Sequence, residues 1–349
     1  MSLGPLMIDV AGHALTAEDR AVLAHPLVGG VILFTRNFAD IVQLELLVKE
    51  VRAVRTPPLL VAVDHEGGRV QRFRRDFTVL PAMRIIGVAY QVDRAAGLEL
   101  ARQCGWLMAA ELRAVGIDLS FAPVVDLDYG ASTVIGDRSF GADMRMVSEL
   151  AIAFAHGMRD AGMAATAKHF PGHGAVIADS HVALPVDRRA YADMDHDLYP
   201  YRRMIENGVA AVMMAHVVYE QVDRRPASFS HHWIHDELRK RLGFSGAVFS
   251  DDLTMEGASI MGDMPTRTRA ALAAGCDMTP ICNNRAGVMA VLAALEKEGV
   301  TPDPVSQMRL VRMHGKTTPG RAELLASAQW NQCHTAAMRC QDRPPLQLG

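Results

Sequence analysis

Cysteine is scarce in this chain, and none of it sits at chelating spacing. Five residues, Cys104, Cys276, Cys282, Cys333 and Cys340, are scattered along the sequence without a Cys-x-x-Cys pair. An odd, dispersed set argues against a disulfide scaffold or a thiolate zinc ribbon and reads as buried or free thiols in a reducing compartment. Long hydrophobic runs are missing too. No stretch reaches the ~18 apolar residues of a membrane-spanning helix, and no secretory h-region precedes the first structured segment; the expected location is the cytoplasm. Charge of one sign is also lacking. With 36 Lys and Arg against 39 Asp and Glu, the formal net charge is -3, which gives no field favouring nucleic acid. Arg69, Arg72, Arg74 and Arg75 cluster locally, and Arg74 and Arg75 read as a solvated loop.

What is present is ordinary globular composition, 50% hydrophobic and 21% charged, with ample material for a core. The length suits one large α/β barrel or two ordinary domains. Short apolar runs recur at Leu6–Val10, Gly30–Phe34, Leu59–Val63, Leu119–Asp126, Met163–Ala167, Ala210–Ala215, Ala247–Phe249 and Met278–Cys282. Helical patterns separate them. Thr16 is a candidate N-cap with Glu18 and Asp19 in the first turn, and Asp40 precedes Ile41, Leu44, Leu47, Val48 and Val51 at 3.6-residue spacing. Further apolar faces run from Leu98 to Val115, Val147 to Met158, Ile234 to Leu242 and Val288 to Leu295. From His65 to about Asp93 the sequence reads as one long connection.

Strands without polar alternation call for a parallel sheet covered by helices, and eight strand–helix units are the count that closes a (β/α)8 barrel. The competing open, doubly wound sheet usually has fewer strands and a Gly-rich first turn; Gly12-His13 after the first run is no dinucleotide fingerprint. Residues 1–300 are expected to form the barrel, and 301–349 a helical or irregular tail that packs on it or frays from it. Thr279-Pro280 fits a strand poorly, because Pro lacks a ladder donor.

Polar residues gather at one end of these runs. Asp64-His65-Glu66-Gly67-Gly68-Arg69 follows the third, and Asp126 and Asp128 the fourth, with Arg138-Ser139-Phe140 in the loop beyond. Lys168-His169-Phe170-Pro171-Gly172-His173-Gly174 follows the fifth, with Asp179-Ser180-His181 after it. His216 follows the sixth and Ser250-Asp251-Asp252 the seventh. In a barrel these termini converge on the face that carries active sites. Taken singly, Asp64 or Asp126 reads equally well as a cap, and His216 as a hydrogen-bonded core histidine. Lys168 resists a bland reading because a buried Lys needs a partner. Alternation sends Asp251 and Asp252 to opposite sides, so one faces the axis and the other braces the surroundings. His169 and His173 are four apart, but Pro171, Gly172 and Gly174 rule out a helix that would align them as ligands. A metal held by Asp64, His65 and His169 remains an alternative.

These strings resemble glycoside hydrolase family 3, and within it the bacterial β-N-acetylglucosaminidases of peptidoglycan recycling. The similarity rests on Gly29–Phe34, Val63–Arg72, Gly136-Asp137-Arg138-Ser139-Phe140, Lys168–Gly174, Asp179-Ser180-His181 and Phe249–Gly257, and runs from about Leu6 to Asn284. The resemblance implies a retaining mechanism in two steps. Asp251 would be the nucleophile, and His181, oriented by Asp179, the acid/base. Asp64, Arg72, Arg138, Lys168, His169 and His216 would hold the N-acetylglucosamine ring. The scheme supplies a proton donor opposite a nucleophile and cationic donors for a sugar rich in acceptors. It calls for no metal and no organic cofactor. The implied substrate is N-acetylglucosamine β-linked to 1,6-anhydro-N-acetylmuramic acid, with or without peptide. The expected partner is thus a small carbohydrate, not nucleic acid or membrane, and the chain is expected to act as a monomer. Phosphorolysis on the same scaffold, substrate-assisted cleavage and a silent sugar-binding barrel are the rival readings.

Overall fold

A computed structural model of the chain describes residues 3–177 and 184–341. Eight parallel strands form its framework. They are β1 (Leu6–Ile8), β2 (Val28–Leu33), β3 (Leu60–Val63), β4 (Leu119–Ser120), β5 (Thr166–Phe170), β6 (Ala211–Met214), β7 (Ala247–Phe249) and β8 (Thr279–Ile281). Their order is β8-β1-β2-β3-β4 in one run and β7-β6-β5 in the other. Parallel bridges from Val124 to Lys168 and from Phe249 to Met278 join the two runs at both seams. At the first seam Thr166 N donates to Ala122 O at 2.8 Å and Val125 N to Lys168 O at 2.9 Å; at the second Ser250 N donates to Met278 O at 3.1 Å. The fold is the expected (β/α)8 barrel, with the two runs of strands linked by these bridges.

Local chemistry starts the outer helices where the sequence expects. Thr16 and Asp19 form a reciprocal capping box at the helix Ala17–Leu23, and Asp40 accepts from Gln43 N ahead of Ile41–Ala53. Asp93 and Asp143 cap Arg94–Ala114 and Met144–Asp160 in the same way. Each carboxylate or hydroxyl satisfies a backbone donor that the first turn leaves orphaned. No described helix is long and apolar enough to cross a membrane.

Period two divides the apolar strands between two cores. Leu60 and Ala62, Ala211 and Met213, and Ala247 and Phe249 join Met7, Ile32 and Phe121 inside the ring. Val61, Val63, Val212, Met214 and Val248 pack outward beneath the helices. Inside, Phe121 and Phe249 meet edge to face at 5.2 Å, a favoured aromatic geometry.

Three expectations are corrected. The fifth strand lies about three residues later than the apolar run suggests, at Thr166–Phe170. Lys168 and His169 are therefore within it, because paired polar side chains can occupy a buried strand and only Pro171-Gly172 stops it. The connection from His65 to Asp93 contains an antiparallel hairpin, His65–Gly67 with Val70–Gln71, and the helix Met83–Val92. That helix starts at Ala82 with no side-chain cap, so no start signal marks it. Pro280 does pair within β8, in register with Met7. Thr279 N donates to Pro5 O at 2.8 Å; backbone donors alternate, so residue 280 faces β7, beyond the last residue of that strand.

The segment after the helix Arg285–Lys297, which follows β8, closes the N-terminal end of the ring. Leu310 and Met313 join Leu3 in the inner core. Asp277 takes Arg309 at 3.0 Å and Ser306 Oγ at 2.6 Å, and Asp118 accepts from Gly315 N at 3.0 Å. Further on, Trp330 Nε1 donates to buried Glu111 at 2.8 Å, which seats the helix Ala328–Gln341 against Arg94–Ala114.

Candidate active site

The inward register of the strands continues past their ends and turns polar. In β3, Leu60 and Ala62 face the core, and the next inward positions are Asp64 and then Glu66 on the hairpin. In β7, Phe249 faces inward, and Asp251 follows two residues on. Lys168 of β5 pairs with inward Met213. Asp64, Glu66, Lys168, Met213 and Asp251, with Phe34, Arg69, Arg72, Arg138, His169, His173 and Asp252, line one cavity of about 580 Å³ at the C-terminal mouth of the barrel. Gly67 and Gly68 make the hairpin turn possible. Both have positive φ, and a Cβ on Gly67 would lie 2.7 Å from Pro81 O, so only glycine fits.

Charges alternate across the cavity wall. Lys168 Nζ lies 3.1 Å from Asp64 and 2.6 Å from Glu66. Arg138 grips Glu66 with two bonds, Nε to Oε2 at 2.9 Å and Nη2 to Oε1 at 2.8 Å. Arg72 reaches Asp64 at 3.5 Å and lies near the Phe34 ring, 5.6 Å from its centroid. Burial alone would raise the Glu66 carboxyl, but the charges and hydrogen bonds of Arg138 and Lys168 hold it well below the usual carboxylate range. Burial opposes the Arg138 cation, yet Glu66 foremost among the nearby carboxylates raises it further. Both members of this bridge are ionised at neutral pH.

A second carboxylate organises the turn after β5. Asp126 accepts from His169 N at 3.2 Å, from His173 N at 2.7 Å and pairs with His169 Nδ1 at 2.8 Å. Burial would raise its carboxyl, but His169 and then His173 keep it below the ordinary value. Burial, with His169 alongside, brings His173 down to about 4, so its imidazole is neutral at neutral pH.

Asp251 and Asp252 both reach the cavity but are held differently. Asp251 Oδ1 accepts from the Asp252 backbone N at 2.9 Å. Asp252 accepts from Thr254 N at 3.0 Å, Thr254 Oγ1 at 2.8 Å and Cys282 N at 3.1 Å, so it braces the turn. Burial pushes its carboxyl up to about 6, against those three bonds. His216 is fully buried and absent from the cavity lining. Its Nε2 lies 3.0 Å from Asp252 O, and its ring stacks on Phe229 at 5.3 Å. Asp179 and His181 fall outside the described residues.

Asp64, His65 and His169 do not converge as metal ligands. His65 is turned away from the cavity between Phe73 and Phe77, at 6.0 and 5.8 Å, and burial lowers its imidazole to about 3. Glu66 and the hub role of Asp126 were missed as functional positions. The available signal for Glu66 was the two-residue period running on from Leu60, Ala62 and Asp64.

Carboxylates and cationic donors gathered at the mouth of a barrel suit the binding and cleavage of a sugar, and comparison with known proteins supplies the class. Residues 5–313 match the model of the glycosyl hydrolase family 3 N-terminal domain. The chain belongs to this family and is a glycoside hydrolase. A β-hexosaminidase of Thioalkalivibrio sulfidiphilus is 56% identical over 348 residues, covering 100% of this chain and 99% of the relative. One from Thiobacillus denitrificans is 53% identical over 352 residues, covering 100% and 97%. The solved structure of NagZ from Neisseria gonorrhoeae in complex with N-trifluoroacetyl-D-glucosamine is 42% identical, with a TM-score of 0.92 over 98% of this chain and 99% of that one.

Proposed function

We propose that this chain is a retaining exo-β-N-acetylglucosaminidase. It removes terminal β-linked N-acetylglucosamine from peptidoglycan fragments, with 1,6-anhydro-N-acetylmuramic acid as the aglycone. The observation that carries the reading is that Asp251 lines one cavity together with the donors Arg72, Arg138 and Lys168. Sugar hydroxyls and the acetamide carbonyl are acceptors, which cationic donors suit. Asp251 attacks the anomeric carbon, the leaving oxygen takes a proton from His181, and water then cleaves the glycosyl ester with His181 as base. Asp179 orients His181. Asp64, with its two acceptor oxygens, and His169 complete the ring site, and His216 supports Asp251 and Asp252 from behind. The full-length likeness to β-hexosaminidases supports the sugar assignment. The chain works as a monomer in the cytoplasm, without metal or organic cofactor.

Turnover of an aryl β-N-acetylglucosaminide beside the matching β-glucoside tests the reading. A buried group left unpaired by a missing acetamide costs roughly 1–3 kcal/mol, so a preference of at least about tenfold is expected. Equal turnover of the two sugars overturns the assignment. A sugar phosphate formed only when phosphate is added would make the enzyme a phosphorylase instead.

A further inference from the structure

Glu66 stands between two cations that line the cavity, and nothing in the two-step scheme uses it. It is 2% exposed. Its Oε1 accepts from Lys168 Nζ at 2.6 Å and Arg138 Nη2 at 2.8 Å, and its Oε2 from Arg138 Nε at 2.9 Å. The geometry points to Glu66 as a positioning residue, a buried carboxylate that aims the remaining donors of Lys168 and Arg138 into the sugar site. The inference rests on the reading of those two cations as ring-binding residues.

A donor count carries the argument. The Lys168 ammonium has three hydrogens. One goes to Glu66 and one faces Asp64 Oδ1 at 3.1 Å, which leaves the third for the cavity. Arg138 has five. Two form the fork on Glu66, one reaches Val134 O at 3.2 Å, and Nη2 lies 3.5 Å from His169 Nε2. The donor left over is directed by the fork, because a guanidinium gripped at two points cannot rotate. The negative charge is needed as well as the shape. Two cations touching one oxygen repel each other, and burial strengthens that repulsion unless an anion lies between them. The wall thus reads Asp64, Lys168, Glu66, Arg138, His169, Asp126, with sign alternating along the first four.

The test uses the full chain with Glu66→Gln, Glu66→Asp, Lys168→Met and the double variant Glu66→Gln/Lys168→Met. Calorimetry gives Kd for N-acetylglucosamine, kinetics on an aryl β-N-acetylglucosaminide separate KM from kcat, and thermal midpoints report folding. Glu66→Gln should raise Kd and KM about tenfold or more, the scale of a hydrogen bond to a charged group, with kcat changed less, because the lost contacts serve substrate and transition state alike. Glu66→Asp keeps the charge at shorter reach and should fall between wild type and Glu66→Gln. The double variant should lose less than the sum of the single losses, since both remove one unit. A carboxylate with only a structural role would lower the thermal midpoint and leave Kd and KM unchanged; that result, or additive losses, overturns the proposal. Should Glu66→Gln not fold, Glu66→Asp decides, and wild-type Kd and KM in that variant are equally fatal. A wild-type chain that neither binds N-acetylglucosamine nor cleaves the glycoside sinks the functional reading and this one with it, which is distinct from an active wild type beside an unaltered variant.

Discussion

His169 Nδ1 lies 2.8 Å from Asp126 Oδ2, and that contact decides which ring nitrogen faces the sugar site. An ionised carboxylate only accepts, so the proton sits on Nδ1. Nε2 is then the nitrogen turned toward Arg138, whose Nη2 lies 3.5 Å away. Asp126 also accepts from the backbone of His169 and His173, so one buried group sets both the tautomer and the turn.

Asp126→Asn should therefore be costly although it is nearly isosteric. Its amide would turn a donor toward other donors. Losing one hydrogen bond to a charged group costs about 1.5–3 kcal/mol, or about 10- to 100-fold in kcat/KM. Steady-state kinetics on the aryl N-acetylglucosaminide check this, and an unchanged kcat/KM would show that the tautomer is immaterial.

Asp251 should become esterified during turnover. Inactivation with a 5-fluoro-glycoside followed by peptide mass spectrometry should place the label within Ser250–Thr254, on Asp251. Asp252 is already committed to Thr254 and Cys282. A label on Asp252, or near wild-type turnover by Asp251→Ala, contradicts the assignment.

His181→Ala should discriminate between leaving groups. General acid help typically contributes ~10²–10⁴-fold and matters most for a poor leaving group. Cleavage of a disaccharide of N-acetylglucosamine and 1,6-anhydro-N-acetylmuramic acid should collapse, whereas release of nitrophenolate should slow far less and show a burst as the glycosyl-enzyme accumulates. Equal losses on both substrates without a burst would mean that another group transfers the proton.

Asp252 and Glu66 should move acid stability in opposite directions. Burial raises Asp252 from an ordinary 3.8 to about 6, so the folded protein holds a proton there that the unfolded chain has released. That contribution is complete below about pH 4 and is lost as pH rises to about 6. Glu66 lies well below its ordinary value because of Arg138 and Lys168. Its contribution is present above the unfolded value near ~4.3 and is lost as pH falls below it. In urea titrations, the penalty of Asp252→Asn should shrink from pH 4.5 to pH 7, and that of Glu66→Gln should shrink on acidification. Parallel curves for a variant and wild type would remove the linkage at that residue.

The parts of this protein that depend on near neighbours can be read from its amino-acid order. Thr16 and Asp40 cap helices because their side chains reach donors three residues on. Eight apolar runs announce eight buried strands because strands buried on both faces leave no polar alternation. The polar strings after those runs marked Asp64, Lys168, His169 and Asp251, since a barrel gathers such termini on one face. How these groups meet is set by contacts between segments far apart in the chain. The seams at Val124–Lys168 and Phe249–Met278 are pairings between distant segments, which no local pattern encodes. Glu66 looks like a solvated loop glutamate until the hairpin extends the inward register of β3, and Lys168 and Arg138, 102 and 72 residues further along the chain, arrive on its two oxygens. Asp126 reads as a cap until the strand that carries His169 lies beside it. A buried charge is tolerated only where its partner waits, and that partner comes from a distant segment of the chain.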